Sequence, residues 1–130
     1  MNWTGVTIHH SASRDVSANE IDRWHRERGW KEIGYHFVIR ADGSIEPARN
    51  WSKHGAHNRG RNTTHLGICL TGHFGKNEPT PEQLTAAVFL CRGLKTRFGL
   101  REFVRHHEEC PGDKFPWCDF LNRIERALKY

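Results

Sequence analysis

Hydrophobic residues recur along this chain with two different periods, which predict strands and helices in turn. Between residues 3 and 10, Val6 and Ile8 alternate with Thr7, as in a strand with one buried face. Further short apolar runs of the kind found in strands occupy residues 35–39, 65–71 and 103–106. The pattern therefore predicts at least four strands.

A tight turn separates the second of these runs from the next apolar residue. Asp42 and Gly43 lie between residues 35–39 and Ile45. An Asp-Gly pair between two alternating runs is typical of a β-hairpin, because both residues tolerate the backbone angles of the turn. One antiparallel pair of strands is expected here.

The first helix has a clear start signal. Ser17 and Glu20 have the spacing of a capping box, in which each side chain satisfies a free backbone amide of the first turn. Ile21 and Trp24 then recur at helical spacing until Gly29.

Two more helices follow in the second half of the chain. Thr80 is a cap, Pro81 suits the first helical position, and Gly99 ends this helix. Its apolar stripe consists of Leu84, Ala87, Val88, Cys91, Leu94 and Phe98. The last helix follows Pro116 and is expected to bury Phe120, Leu121, Ile124 and Leu128.

Strands interleaved with helices, together with one hairpin, predict an α/β fold with a central mixed β-sheet flanked by helices. The chain has 130 residues and no internal repeat or linker, so a single domain spanning residues 1–130 is expected. Residues 47–64 are polar, rich in Asn, Arg, His and Gly, and without a period. A loop of this length in a compact domain is usually functional.

The net charge of +5 suggests an anionic partner, which nucleic acid, an acidic membrane or the bacterial envelope would each provide. There is no nucleic-acid-binding motif, so no nucleic acid partner is expected. There is also no run of 18 apolar residues, and we expect no membrane insertion. The N-terminus lacks the features of a signal peptide, which predicts synthesis in a cytoplasm. Nothing in the sequence suggests more than a monomer.

Two of the four cysteines are candidates for chemistry. Cys69 and Cys91 lie in apolar stretches and are interpreted as small buried hydrophobic residues. Cys110 and Cys118 flank a Pro- and Gly-containing loop that follows a pair of histidines. Without a CxxC pair or an export signal, disulfides are not expected.

Two His-His pairs and the Cys110 loop together suggest a metal site. His9-His10 ends the first strand and His106-His107 ends the last, and only one histidine of each pair can point to a given face. Two imidazoles and one thiolate, from Cys110 or from Cys118 as the second choice, would leave one position open on zinc. Three protein ligands with an open position are typical of catalytic rather than structural zinc.

Such a site favours hydrolysis of an amide or ester, because zinc activates water and polarises a carbonyl. Tyr35 could donate its hydroxyl to the oxyanion that forms, although an aromatic residue here could also simply fill the core. His36 points to the opposite face and could orient a ligand or line the cleft.

Several motifs, in order and with matching spacing, give the chain a family resemblance. They are Ile8-His9-His10-Ser11-Ala12, Trp24 to Trp30, Ile33 to Ile39, Asp42-Gly43, Gly55-Ala56-His57, Asn62, Leu66 to Gly72, and Cys110-Pro111-Gly112-Asp113. The chain resembles the zinc-dependent N-acetylmuramoyl-L-alanine amidases of the type 2 family, which includes T7-type phage lysozymes and peptidoglycan recognition proteins. The resemblance extends over nearly the whole chain.

The resemblance implies a role for each matching residue. It places the zinc ligands at His9, His106 and Cys110 and the catalytic tyrosine at Tyr35. It also places His57 and Asn62 near the bound substrate. The implied reaction is zinc-dependent hydrolysis of the amide that joins N-acetylmuramic acid to L-alanine in bacterial peptidoglycan.

The loop between the late histidine and the cysteine departs from the family. Family members commonly have a longer loop with Lys or Thr two residues before the cysteine, whereas Glu108 stands there in this chain. An ionised carboxylate cannot stabilise an oxyanion, so Glu108 would act as a base, stay protonated or be structural. Lys114 could supply the missing positive charge.

The size, charge and lack of a signal peptide favour a phage endolysin that reaches the host cell wall after release. Two alternatives remain open: a bacterial amidase for wall recycling, and a module that binds peptidoglycan without cleaving it.

Overall fold

A computed structural model of the chain describes residues 2–126. Five strands and three helices follow one another in the order β1 (Gly5–His10), α1 (Ala18–Glu27), β2 (Phe37–Ile39), β3 (Ile45–Pro47), β4 (His65–Leu70), α2 (Pro81–Phe98), β5 (Glu102–Arg105) and α3 (Trp117–Glu125). The alternation of strands and helices predicted from the sequence is confirmed.

The five strands form one mixed sheet with the order β3-β2-β4-β1-β5. β1 lies between β4 and β5 and is parallel to both, and β2 is parallel to β4. The hairpin at Asp42-Gly43 makes β3 antiparallel to β2 at the edge. The predicted α/β class with a central mixed sheet is therefore correct.

The sheet separates two apolar layers. On one face, α2 and α3 pack on alternate strand residues that include Val6, Ile8 and Ile68. On the other face, α1 packs through Ile21 against a smaller cluster that includes Val38. The side chains that alternate with the larger core, Thr7 and His9 on β1 and Gly67 and Cys69 on β4, point toward this second face.

Several sequence predictions need correction. β2 begins at Phe37 rather than at Tyr35, and β5 ends at Arg105 rather than at His106. β1 starts at Gly5 rather than at Trp3, because its paired register with β4 and β5 begins only at Gly5. The amide of Thr4 still donates to the carbonyl of Thr64, the residue before β4 (2.8 Å). Leu121 is exposed, whereas Phe120 and Ile124 are buried as expected. Leu128, the fourth residue of the predicted face, lies outside the described residues.

Residues 48–64 contain turns and bends but no helix or strand, so the predicted loop begins one residue later than expected, after Pro47 of β3. Its middle lies close to the start of β2, where the Ala56 amide donates to the carbonyl of Gly34 (3.1 Å). A Cβ at Gly34 would be 1.9 Å from the Ala56 carbonyl oxygen, so only glycine fits there. His36 also fixes the loop, since its Nε2 lies 2.9 Å from the carbonyl of Lys53.

Gln83 ties α2 to the end of the sheet. Its buried side-chain amide donates to the carbonyls of Ile39 (2.9 Å) and Thr71 (2.8 Å). We expect Gln83→Leu to lower the free energy of unfolding by about 1–3 kcal/mol, because it leaves the Thr71 carbonyl without this donor. Urea unfolding would measure the loss. The exposed neighbour Glu82, changed to Gln, is the control and should leave stability nearly unchanged.

Candidate active site

The predicted metal ligands come together at one end of the central strands. His9 lies near the end of β1, and His106 directly follows the neighbouring strand β5. The loop after β5 then brings Cys110 back to the same place. One ligand atom from each of these three residues lies within 4.8 Å of the others.

The short loop that carries Cys110 is held by main-chain hydrogen bonds. His107 and Cys110 exchange two of them, with N···O distances of 3.1 and 3.0 Å. Gly112 follows with φ of 105° and so close to Phe74 that an added Cβ would lie 2.4 Å from the Phe74 carbonyl carbon. The loop is shorter than the family pattern, yet this tight turn suffices to place the sulfur beside His9.

The distances suit a zinc ion. Cys110 Sγ lies 3.6 Å from His9 Nδ1. Tetrahedral zinc with bonds of about 2.0 Å to nitrogen and about 2.3 Å to sulfur separates these two atoms by about 3.5 Å. The donor set of two imidazoles and one thiol is also one that zinc prefers. The residues present therefore fit the metal that the family resemblance implies.

The surroundings keep both imidazoles neutral, as metal ligands must be. Burial, together with neighbouring histidines, lowers the pKa of His9 well below its usual value. Burial also lowers the pKa of His106. Burial raises the pKa of the Cys110 thiol to about 11, although a hydrogen bond from the His10 main chain acts in the opposite direction. Cys110 thus needs a nearby cation to become a thiolate.

Tyr35 lies directly beside the cluster. Its ring centroid is 4.9 Å from that of His9, and the side chain is half-buried. Burial, with the nearby sulfurs of Cys69 and Cys110 as further causes, raises the pKa of Tyr35 well above its usual value. The hydroxyl is therefore protonated at neutral pH and able to donate a hydrogen bond.

A cleft of about 500 Å³ opens over these residues. Its walls include His25, Arg28 and Trp30 from the end of α1, and His73 from the loop after β4. A larger groove of about 850 Å³ runs along α2 and α3, lined mostly by apolar and basic side chains. Within residues 2–126, His9, His106 and Cys110 form the one cluster suited to a metal, so the smaller cleft is the candidate active site.

His57 and Asn62 occupy different positions relative to this cleft. His57 lines it, and its Nδ1 lies 2.9 Å from His9 Nε2. The Asn62 side chain instead accepts hydrogen bonds from the main-chain amides of His57 and Asn58, both at 2.8 Å. Asn62 thus shapes the loop that presents His57, and direct contact of either residue with substrate stays a prediction.

Other residues considered from the sequence lie away from the metal cluster. His36 is buried and bonded to main-chain atoms of Lys53 and Gly67, so it supports the loop and does not line the cleft. Cys118 is exposed on α3, which leaves Cys110 as the candidate thiolate. Glu108 and Lys114 are both exposed and outside the cleft wall.

Sequence reasoning missed His25, which is buried in the cleft wall. Its Nδ1 accepts a hydrogen bond from the Gly34 amide (3.0 Å), and its ring centroid lies 4.5 Å from that of Trp30. Burial lowers the pKa of His25 to about 4. His25 is four residues after the buried Ile21, and this helical spacing was the signal that could have placed it on the inner face.

Comparisons with known proteins identify the family of the chain. The family model for N-acetylmuramoyl-L-alanine amidase (Amidase_2) matches residues 1–113. The endolysin of Klebsiella phage KP32 is 38% identical over 114 residues, which cover 82% of this chain and 76% of that protein. The endolysin of Escherichia phage T7 is 35% identical over 114 residues, which cover 82% of this chain and 76% of that protein.

A solved structure extends the similarity over almost the whole chain. The N-acetylmuramoyl-L-alanine amidase LysC from Clostridium intestinale URNW superposes with a TM-score of 0.93 and 33% identity. The match covers 98% of this chain and 88% of LysC. The chain therefore belongs to the N-acetylmuramoyl-L-alanine amidase family and is an enzyme that acts on peptidoglycan.

Proposed function

We propose that this amidase works through a zinc ion held by His9, His106 and Cys110. The observation that carries the proposal is that three ligand atoms of the right chemistry lie within 4.8 Å of one another beside Tyr35. Zinc, when bound, activates water and polarises the carbonyl of the scissile amide. The bond cleaved is the amide between N-acetylmuramic acid and L-alanine of the stem peptide.

The residues of the chain contribute in distinct ways. His9 and His106 are neutral and offer a lone pair each, and Cys110 contributes a negative charge once a cation is near. Tyr35 keeps its proton and donates a hydrogen bond to the carbonyl oxygen as negative charge develops there. His57 in the cleft wall and Asn62 behind it support the substrate side of the site.

The family model and the packing support one amidase domain over residues 1–130. The matched region ends at residue 113, but Phe120 and Ile124 of α3 lie in the same core as α2. Removal of α3 would therefore open the larger core.

We propose the biological role of a phage endolysin, on the strength of the endolysins of phages KP32 and T7. The enzyme would then be made in the host cytoplasm and act on the wall after release. Within residues 2–126, no helix has the length and apolar character needed to cross a membrane. A monomer without a nucleic acid partner stays a prediction.

Product analysis tests the reaction directly. Digestion of purified peptidoglycan should release stem peptides with a free L-alanine amino terminus and create no new reducing sugar ends. Binding without any new amino terminus would overturn the assignment and indicate a non-catalytic binding module, the alternative suggested by Glu108 in place of Lys or Thr. New reducing ends would show a glycosidase and overturn the proposal. Two conditions distinguish the endolysin role from wall recycling. Lysis of host cells when the gene is expressed from a phage, and no lysis when it is expressed in uninfected cells, would favour the endolysin.

A further inference from the structure

A second imidazole stands directly behind the ligand histidine of β1. His9 Nε2 lies 2.9 Å from His57 Nδ1, and the two rings are nearly perpendicular, at 89°. The other nitrogen of His57, Nε2, lies 2.9 Å from the main-chain carbonyl oxygen of His65. Two consecutive hydrogen bonds therefore connect the sheet backbone to His9.

The carbonyl at the far end fixes where the protons are. The His65 oxygen can only accept, so the Nε2 of His57 carries a proton. In a neutral imidazole the Nδ1 of His57 is then an acceptor, and His9 Nε2 must be the donor. This leaves the Nδ1 of His9 without a proton, and that is the atom 3.6 Å from Cys110 Sγ.

Two glycines make room for the His57 ring. A Cβ at Gly67, in the middle of β4, would lie 2.6 Å from the ring, and one at Gly55 would lie 2.3 Å from it. Glycine inside a strand is unfavourable and often marks a close approach by another group. Here the group that approaches is the imidazole of His57.

The main chain that carries His57 is fixed as well. Its amide donates to Asn62 Oδ1, and the side chain of the next residue, Asn58, donates to Thr7 Oγ1 on β1 (3.1 Å). Thr7 and His9 point to the same face of β1. The bond within the loop fixes the main chain at His57, and the bond from Asn58 to Thr7 joins the loop to β1 two residues before His9. Together they set the position of His57 relative to His9.

We propose that His57 is a positioning residue of the metal site: it accepts the Nε2 proton of His9 and so directs the Nδ1 lone pair of His9 toward the metal. This inference rests on the proposed function, in which His9 is a ligand. It assigns His57 a task beyond lining the substrate cleft. Partners of this kind fix the orientation and the tautomer of ligand histidines.

A pair of variants separates hydrogen bonding from space filling. His57→Phe fills the pocket between the glycines but can neither accept nor donate. His57→Gln restores both functions, because its side-chain oxygen accepts from His9 and its nitrogen donates to the His65 carbonyl. We expect His57→Phe to weaken zinc binding by about 10–100-fold, measured by competition with a chromogenic chelator. His57→Gln should recover most of that loss.

The tautomer of His9 gives a second readout that needs neither zinc nor substrate. Nitrogen-15 NMR of the zinc-free wild-type protein should show His9 protonated on Nε2, and His57→Phe should populate the other tautomer. Gln83→Leu is the control for lost stability, since Gln83 is a buried polar residue that bonds to Ile39 and Thr71 and to neither His57 nor His9. It should lower stability and leave the His9 tautomer unchanged.

The results that would overturn this inference differ from those that would overturn the proposed function. Wild-type protein with His9 protonated on Nδ1 would refute the role of His57, even if the Phe variant fails to fold. Equal zinc affinity of wild type and His57→Phe would refute it too. Failure of the wild-type protein itself to bind zinc would instead remove the proposed function on which the inference rests.

Discussion

Replacement of Cys110 by serine should abolish both zinc binding and peptidoglycan cleavage. Cys110 is only 7% exposed, and its sulfur faces His9 Nδ1 at 3.6 Å. A serine hydroxyl is shorter, is not ionised at neutral pH and is a poor zinc ligand compared with a thiolate. Substitution of a hydrogen-bond partner of a metal ligand typically lowers metal affinity by about 10–100-fold. Cys110 is itself a ligand in the proposed site, so zinc affinity should fall by more than that. Zinc content after dialysis and the release of L-alanine amino termini would measure the two effects.

Cys118→Ser is the matched control. Cys118 is exposed on α3 and lies outside the metal cluster, so its replacement should leave zinc content and cleavage nearly unchanged. Wild-type enzyme treated with a chelator should lose activity and recover it when zinc is added, whereas Cys110→Ser should not recover. Full activity of Cys110→Ser, or activity of the wild type that is indifferent to the chelator, would contradict the metal assignment.

Tyr35→Phe should retain zinc but lower kcat by about 10²–10³-fold, the usual effect of losing one oxyanion donor. The substitution removes only the hydroxyl, so the ring still packs beside His9 and His25. Since burial raises the pKa of Tyr35, the wild-type hydroxyl donates throughout the neutral range and the loss should be the same at pH 6 and pH 8.

Steady-state kinetics on a soluble muropeptide would measure this effect. We expect KM to change little, because the hydrogen bond strengthens as charge develops on the carbonyl oxygen. Zinc content equal to that of the wild type is the control for an intact site. A kcat within about threefold of the wild type would show that Tyr35 is not the donor.

Local signals were enough to predict most of the fold. Ser17 and Thr80 each accept a hydrogen bond from the amide three residues later, and Gly99 ends α2 in the left-handed conformation. Such caps depend only on neighbouring residues, which is why they can be recognised in one sequence. The exposure of Leu121 depends instead on how α3 packs on the sheet, which its own spacing does not specify.

The candidate site likewise contains residues that the sequence could identify and residues that it could not. His9, His106, Cys110 and Tyr35 could be proposed because each belongs to a short motif, and the structure brings the three candidate ligands together. His36 and Asn62 carry no signal that distinguishes a cleft residue from one that holds a loop. The contact of His36 with Lys53 depends on how the long loop packs against the sheet, and the contact of Asn62 with the His57 amide depends on how the loop folds on itself.

The two ends of the Cys110–His9 contact are 101 residues apart in the chain. A metal ion held there would cross-link β1 to the loop that follows β5. The chain between the two cross-linked residues is most of the domain. Cross-links that close long rings act mainly by reducing the freedom of the unfolded chain. The cysteines of the described residues are all free, so a bound metal ion would stabilise the fold as a disulfide does in other small proteins. Loss of the ion would then lower the free energy of unfolding of the domain.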